Sequence, residues 1–314
     1  MRYGMLRVVS AVVLLSACTV FVQPGFAQGE DSSTAGRDLM VIGAMLPGIY
    51  ANANQSYFDE RGNRETKHRP LFVRISPADV PAAGDRVLTV SGYYDNDPDV
   101  ALEPMLWALT EDVASNTVRM RIWKASANSL ENPSELDAIA GRDDHCDVFW
   151  RREAGQFHAT AGTGCDGFAA SLQISEAQLW IEYAQQAAGD YTLHRARPFE
   201  CYADIPGVGG GVDIPYKRYD GFTIHDQGGR FRFTSDEGQD LMIVLWTVDW
   251  PINNQVGIFT RDSLVLYVNE FLDDGLKQHA YTFTPPASDR IGINLKWILV
   301  NCFMESNRDV TPTM

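Results

Sequence analysis

Beyond residue 70 the chain alternates apolar and polar residues in short runs, the period-two signature of strands with one buried face. Residues 71–75, 86–90, 117–123, 146–150, 156–160 and 172–174 are rich in β-branched and aromatic types and are separated by turn residues, which predicts a strand at each. Helical spacing is rarer. Asp38 is placed to cap an amphipathic run through Leu39, Ile42 and Met45 that Pro47-Gly48 ends, and Pro133-Ser134 opens a short helix that Gly141 stops. Ser175 to Gln178 has the spacing of a capping box, so 178–188 reads as either helix or strand. After about residue 195 the texture changes. A glycine-rich loop at 205–213 lacks the Gly-Lys-Ser/Thr ending of a phosphate loop. Residues 222–224 and 230–234 then flank His225-Asp226-Gln227-Gly228-Gly229, which predicts a hairpin turn, with His225 and Asp226 serving the turn. Runs at 241–248, 264–268, 280–283 and 291–303 complete a second strand-rich region, so the fold class is mainly β.

The N-terminus changes the picture. Arg2 and Arg7 precede an apolar run over 8–22 and a small-residue pattern ending at Ala27, so residues 1–27 read as a secretory signal peptide. Within it, Leu15-Ser16-Ala17-Cys18 offers a second exit, lipidation of Cys18, and the two remain open. The protein is therefore expected to be exported: periplasmic, secreted or lipid-anchored to a bacterial envelope. Outside the signal, Cys146, Cys165, Cys201 and Cys302 form an even set in an oxidising compartment, which predicts disulfides. Strands at 147–152 and 156–161 around Glu153-Ala154-Gly155 bring Cys146 and Cys165 to one end of a hairpin, and elimination pairs Cys201 with Cys302. No Cys-x-x-Cys and no close histidine pair occurs, so no metal is expected. Loss of Arg2 and Arg7 takes the formal charge from −15 to −17, which makes nucleic acid and anionic membrane surfaces poor partners. A lipid on Cys18 would be the one link to a membrane.

Catalytic signatures are absent: neither G-x-S-x-G nor H-E-x-x-H is present. One strand carries recognisable binding chemistry. In 118–123 the alternation puts Val118, Met120 and Ile122 on one face and Arg119, Arg121 and Trp123 on the other. Two forked cations beside an aromatic suit a flat ligand bearing carboxylates, although spacing alone fits solvent-facing arginines as well.

Several pieces, in order over 38–195, resemble the CpcT/CpeT chromophore lyase family: the helix followed by Leu46-Pro47-Gly48-Ile49-Tyr50-Ala51-Asn52 with Gln55, the strand from His68 to Ile75, the Arg119-x-Arg121 strand, and the Cys146 to Cys165 hairpin with Trp150 and Phe157 between. The resemblance implies a calycin/lipocalin-like antiparallel β-barrel over 38–195 that holds an open-chain tetrapyrrole (a bilin) and delivers it to a cysteine of an acceptor protein. It places Arg119, Arg121 and Trp123 facing the barrel interior, with Gln55 and Tyr93 as further ligand-binding candidates. The chain departs from the family pattern at Met120, at Trp123 and over Val90-Ser91-Gly92-Tyr93, where an acidic group is missing. Organisation is thus expected to be signal 1–27, linker 28–37, barrel 38–195 and a β-rich domain over 196–314. Two functions follow: a bilin lyase or bilin-binding protein, or a non-enzymatic envelope protein that binds a hydrophobic ligand or a protein partner.

Overall fold

The computed structural model describes residues 34–162, 165, 170–182, 189–206, 215–254 and 257–304, which belong to one compact unit. The signal peptide, Cys18, most of the glycine-rich loop and residues 183–188 lie outside the described residues.

Helix α1 (Thr34–Met45) leads into strand β1 (Gly48–Ala51), helix α2 (Ala53–Arg61) and the strands β2 (Leu71–Ala78), β3 (Val87–Tyr94), β4 (Met105–Asp112) and β5 (Thr117–Lys124). A one-turn helix α3 (Ala127–Leu130) and helix α4 (Pro133–Ala140) come next. Strands β6 (Cys146–Glu153), β7 (Gln156–Ala161), β8 (Ser171–Ile174), β9 (Gln178–Glu182) and β10 (Tyr191–Ala196) follow. Each strand from β2 to β10 pairs antiparallel with its neighbours in sequence, and β1 pairs with both β10 and β2, so ten strands close an antiparallel barrel. Closure removes every sheet edge. Residues 178–182 are strand. α1 starts at Thr34, inside the stretch expected to be linker, because Ala35 is already buried there.

The barrel interior is a filled core. Ile42 of α1 and Leu46 just after it enter, beside Val73, Ile75, Met120, Val148, Trp150, Phe157 and Leu193 from the wall. Tyr50 joins them, its hydroxyl donating to the Met45 and Leu46 carbonyls at 2.9 and 3.1 Å. Burial pushes the Tyr50 hydroxyl up to about 12 against the opposing charge of Arg195. A second cluster lies outside the wall, where Leu136 and Ile139 of α4 cover Val87, Leu106, Ala108 and Trp123. β4 escapes the alternation rule for that reason: Trp107 and Leu109 point in while Leu106 and Ala108 lie under α4, leaving four consecutive buried residues.

After the barrel come β11 (Pro198–Pro206), β12 (Tyr216–His225), β13 (Gln227–Thr234), β14 (Asp240–Asn254), β15 (Gly257–Leu272), β16 (Gly275–Thr284), β17 (Arg290–Asn294) and β18 (Leu299–Met304). They form two four-stranded sheets, ordered β12-β11-β18-β17 and β13-β14-β15-β16, around a shared core of Phe199, Phe231, Phe233, Leu245, Leu266 and Val300. The expected hairpin at 225–229 is corrected here. β12 and β13 belong to different sheets, and the turn carries the chain from one to the other. Packing decides it: the rings of Phe222 and Phe231 stack 4.1 Å apart between the sheets instead of lying along one ladder. Asp226 anchors the corner. Its carboxylate accepts from the Arg197 backbone N–H (2.8 Å) and from Arg197 Nε (2.6 Å), and its carbonyl accepts from the Thr247 N–H (2.6 Å).

Both disulfides form, Cys146 to Cys165 and Cys201 to Cys302, closing separations of 19 and 101 residues. The first closes the β6–β7 hairpin, whose turn residues Ala154 and Gly155 both have positive φ (48° and 84°). The second joins directly opposite positions of β11 and β18. Two disulfides suit an oxidising location. Among the described residues no helix is long and apolar enough to cross a membrane.

Candidate functional site

The alternation within β5 is resolved against the inward placement of its arginines. Val118, Met120 and Ile122 belong to the interior core, so Arg119, Arg121 and Trp123 lie on the outer wall. A filled interior leaves no place for two charged forks, whose burial without partners would cost several kcal/mol each (~2–7 for a polar group, more for a charge). Arg121 Nε lies 3.6 Å from Asp147 Oδ1, and Trp123 is buried under α4 with its indole N–H donating to the Arg142 carbonyl at 3.1 Å. Gln55 is also committed elsewhere. Its amide donates to the Asp190 carbonyl (2.8 Å), and its Oε1 accepts from the Thr192 N–H (3.1 Å), which staples α2 to β10. The Gln55 amide also meets His68, whose Nδ1 lies 2.6 Å from Asp59 Oδ2. Burial opposes ionisation of Asp59, yet the backbone and side-chain hydrogen bonds from His68, with the charges of His68 and Arg64, hold its carboxyl below the usual range.

Of the five ligand-binding candidates, Tyr93 lines a large cleft that the other four do not line. That cleft measures about 1190 Å³ and lies between the outer barrel wall at β2 and β3, helix α2, and the β12 to β14 part of the sandwich. On the barrel side, Phe72 and Tyr93 sit opposite each other in the β2–β3 ladder with rings stacked at 4.6 Å and 13°. Gly92 permits the approach, since a Cβ there would lie 2.1 Å from the Phe72 carbonyl oxygen. Arg74 lies two residues along β2 from Phe72, on the same outer face and opposite Ser91. Across the cleft, Arg230 stands opposite Val244 and Trp246 opposite Gln227 in the β13–β14 ladder. Tyr57 of α2 meets Trp246 edge-on with centroids 5.4 Å apart.

His225 joins the two walls, its ring 5.3 Å from that of Phe72 and its Nδ1 accepting from the Gln227 N–H at 3.3 Å. Gly229 packs on its backbone, where a Cβ would lie 2.4 Å from the His225 N and O. Burial lowers the His225 imidazole from 6.5 to about 4; the carboxylate of Asp226 opposes this and the charges of Arg74 and Arg230 add to it. Burial also raises the Tyr93 hydroxyl, while Arg230 and Arg74 pull it back. The rim carries satisfied pairs, Lys67 with Glu60 at 2.8 Å and Arg69 with Asp95 at 2.6 Å. Among the described residues no group of three or more His, Cys, Asp or Glu is placed to hold a metal ion.

Sequence reasoning missed Phe72, Arg74, Arg230, Trp246 and Tyr57, and it read His225 as turn chemistry only. The one available signal was the outer-face set Phe72, Arg74, Ser91 and Tyr93, which alternation assigns to a single surface. Nothing local pairs that surface with Arg230 and Trp246, about 150 residues later. Comparison of the chain with protein-family models, curated proteins and solved structures finds no match.

Proposed function

We propose that the protein is an exported, non-enzymatic binding protein that holds a flat, partly apolar small molecule in the cleft between barrel and sandwich. The observation that carries this reading is the cleft itself: about 1190 Å³, with the stacked Phe72 and Tyr93 on one wall and Trp246 against Tyr57 on the other. Small-molecule sites usually measure about 300–1,000 Å³ and combine apolar walls with a few placed polar groups, so this volume suits an extended ligand. The open-chain tetrapyrrole implied by the sequence resemblance is the ligand class to try first, being flat, conjugated and amphipathic. Binding is preferred to lyase chemistry because the arginines that the resemblance would assign to the pigment lie on the barrel's outside, away from the cleft. The two disulfides and the N-terminal segment support export.

Incubation of the purified protein with biliverdin tests this. A red-shifted, sharpened absorbance band that saturates at one equivalent is expected, with the variant Tyr93→Ala/Trp246→Ala at least about tenfold weaker, since each aromatic stacking contact is worth about 0.5–1.5 kcal/mol beyond its area burial. An unchanged spectrum would remove the tetrapyrrole, and full binding by the double variant would remove the cleft.

A further inference from the structure

We infer that Arg74, Arg230 and His225 form an anion-recognition subsite within the cleft, which takes a carboxylate or phosphate group carried by the ligand. The inference rests on the cleft being a binding site and names the polar half of what it binds.

The first support is charge. The chain holds 41 acidic and 26 basic side chains, and several described arginines are spent on carboxylates, among them Arg69 on Asp95, Arg197 on Asp226, Arg218 on Asp204 and Arg232 on Asp240. Arg74 and Arg230 form no ion pair among the described residues, although acidic partners outnumber basic ones. They come from opposite walls, one on a barrel strand and one on a sandwich strand, yet both line the same cleft together with His225 and Tyr93, and their charges act on both of those rings. Two like charges converging without a counter-ion repel, and an anion between them turns that repulsion into two charge-assisted contacts.

The second support is a tautomer. His225 Nδ1 accepts the Gln227 N–H, so the single proton of the neutral ring sits on Nε2, which acts as a donor. Burial and the two guanidinium groups keep that ring neutral down to about pH 4. The ring therefore offers an N–H at ordinary pH without adding a third positive charge. A carboxylate or phosphate accepts from all three groups with charge assistance, whereas a cation cannot accept and a neutral ester accepts only the weaker, uncharged bonds.

Biliverdin and its dimethyl ester differ only in the two carboxylates, which makes the pair a direct test. The wild-type protein should bind biliverdin at least tenfold more tightly than the ester, about what a single charge-assisted contact supplies. The variant Arg74→Met/Arg230→Met should lose that preference, and because both side chains are exposed its thermal unfolding should match wild type. Equal binding of acid and ester by wild type, or a preference that survives in the variant, overturns the subsite and leaves the cleft reading intact. If wild type binds neither compound, the tetrapyrrole reading fails, and inorganic phosphate then decides the subsite by itself. Phosphate should shift the His225 ring resonances in wild type and not in the double variant. No shift in wild type, or the same shift in both, overturns it. A preference for phosphate over biliverdin would assign the subsite to a phosphorylated ligand.

Discussion

Acidification should destabilise this protein through one buried ring, in an amount the structure bounds. The folded His225 imidazole resists protonation until about pH 4, whereas in the unfolded chain it takes a proton near 6.5. Between those values the unfolded state binds a proton that the folded state refuses. The contribution is thus fully present above about pH 6.5 and is lost as pH falls towards 4. The gap between 6.5 and about 4, at about 1.36 kcal/mol per pH unit, sets a ceiling of about 3 kcal/mol. Asp249 runs the other way. Burial, with a hydrogen bond and repulsion from Asp262 directly across the β14–β15 ladder, pushes its carboxyl up to about 6, so the folded state gains stability as pH falls through that value. The raw pH curve mixes the two slopes, and the comparison of wild type with His225→Gln isolates the histidine. Urea unfolding followed by tryptophan fluorescence, with disulfides intact, should show the wild-type advantage over the variant shrinking by about 2–3 kcal/mol between about pH 7 and pH 4. A difference that stays constant across that range, or a His225 ring titrating near its ordinary value by NMR, would refute the reasoning and return the ring to solvent.

Gly92→Ala should cost more than about 3 kcal/mol or prevent folding, because its Cβ meets the Phe72 carbonyl oxygen at 2.1 Å and the β2–β3 ladder must separate; a melting temperature near wild type would contradict this. Arg119→Met/Arg121→Met should leave biliverdin affinity within about twofold of wild type, as β5 lies two strands around the barrel from β3, and a loss beyond about tenfold would move the site to β5. Removing Cys201–Cys302 as a pair of alanines should cost about 5 kcal/mol against about 3 for Cys146–Cys165, because the larger loop restricts the unfolded chain more; equal urea midpoints for the two variants would argue against the loop-entropy account.

The sequence by itself determined the elements and the local closures. Alternation over 71–75, 117–123 and 146–160 marked strands, because a half-buried strand must place apolar residues on every second position. Glu153-Ala154-Gly155 marked a tight turn, which together with the cysteine count was enough to pair Cys146 with Cys165. It also determined that Arg119 and Arg121 share a face. Which face is inside depends on what fills the opposite wall, and Met120, Trp150 and Phe157 fill this barrel. Where both faces of a strand are covered, as in β4, alternation vanishes and the element escapes notice. Barrel closure required β1 to find β10, with Ile49 opposite Ala196, and no local signal spans that distance. The turn at 225–229 was legible as a turn, but only the stacking of Phe222 on Phe231 decided that it joins two sheets. The cleft is the extreme case. Arg74 is an ordinary outward arginine on its own strand, as is Arg230, and their proximity to one histidine exists only because the sandwich packs against the barrel wall. Propensity and periodicity act over a few residues, whereas a site made from two walls is set by packing between segments about 150 residues apart.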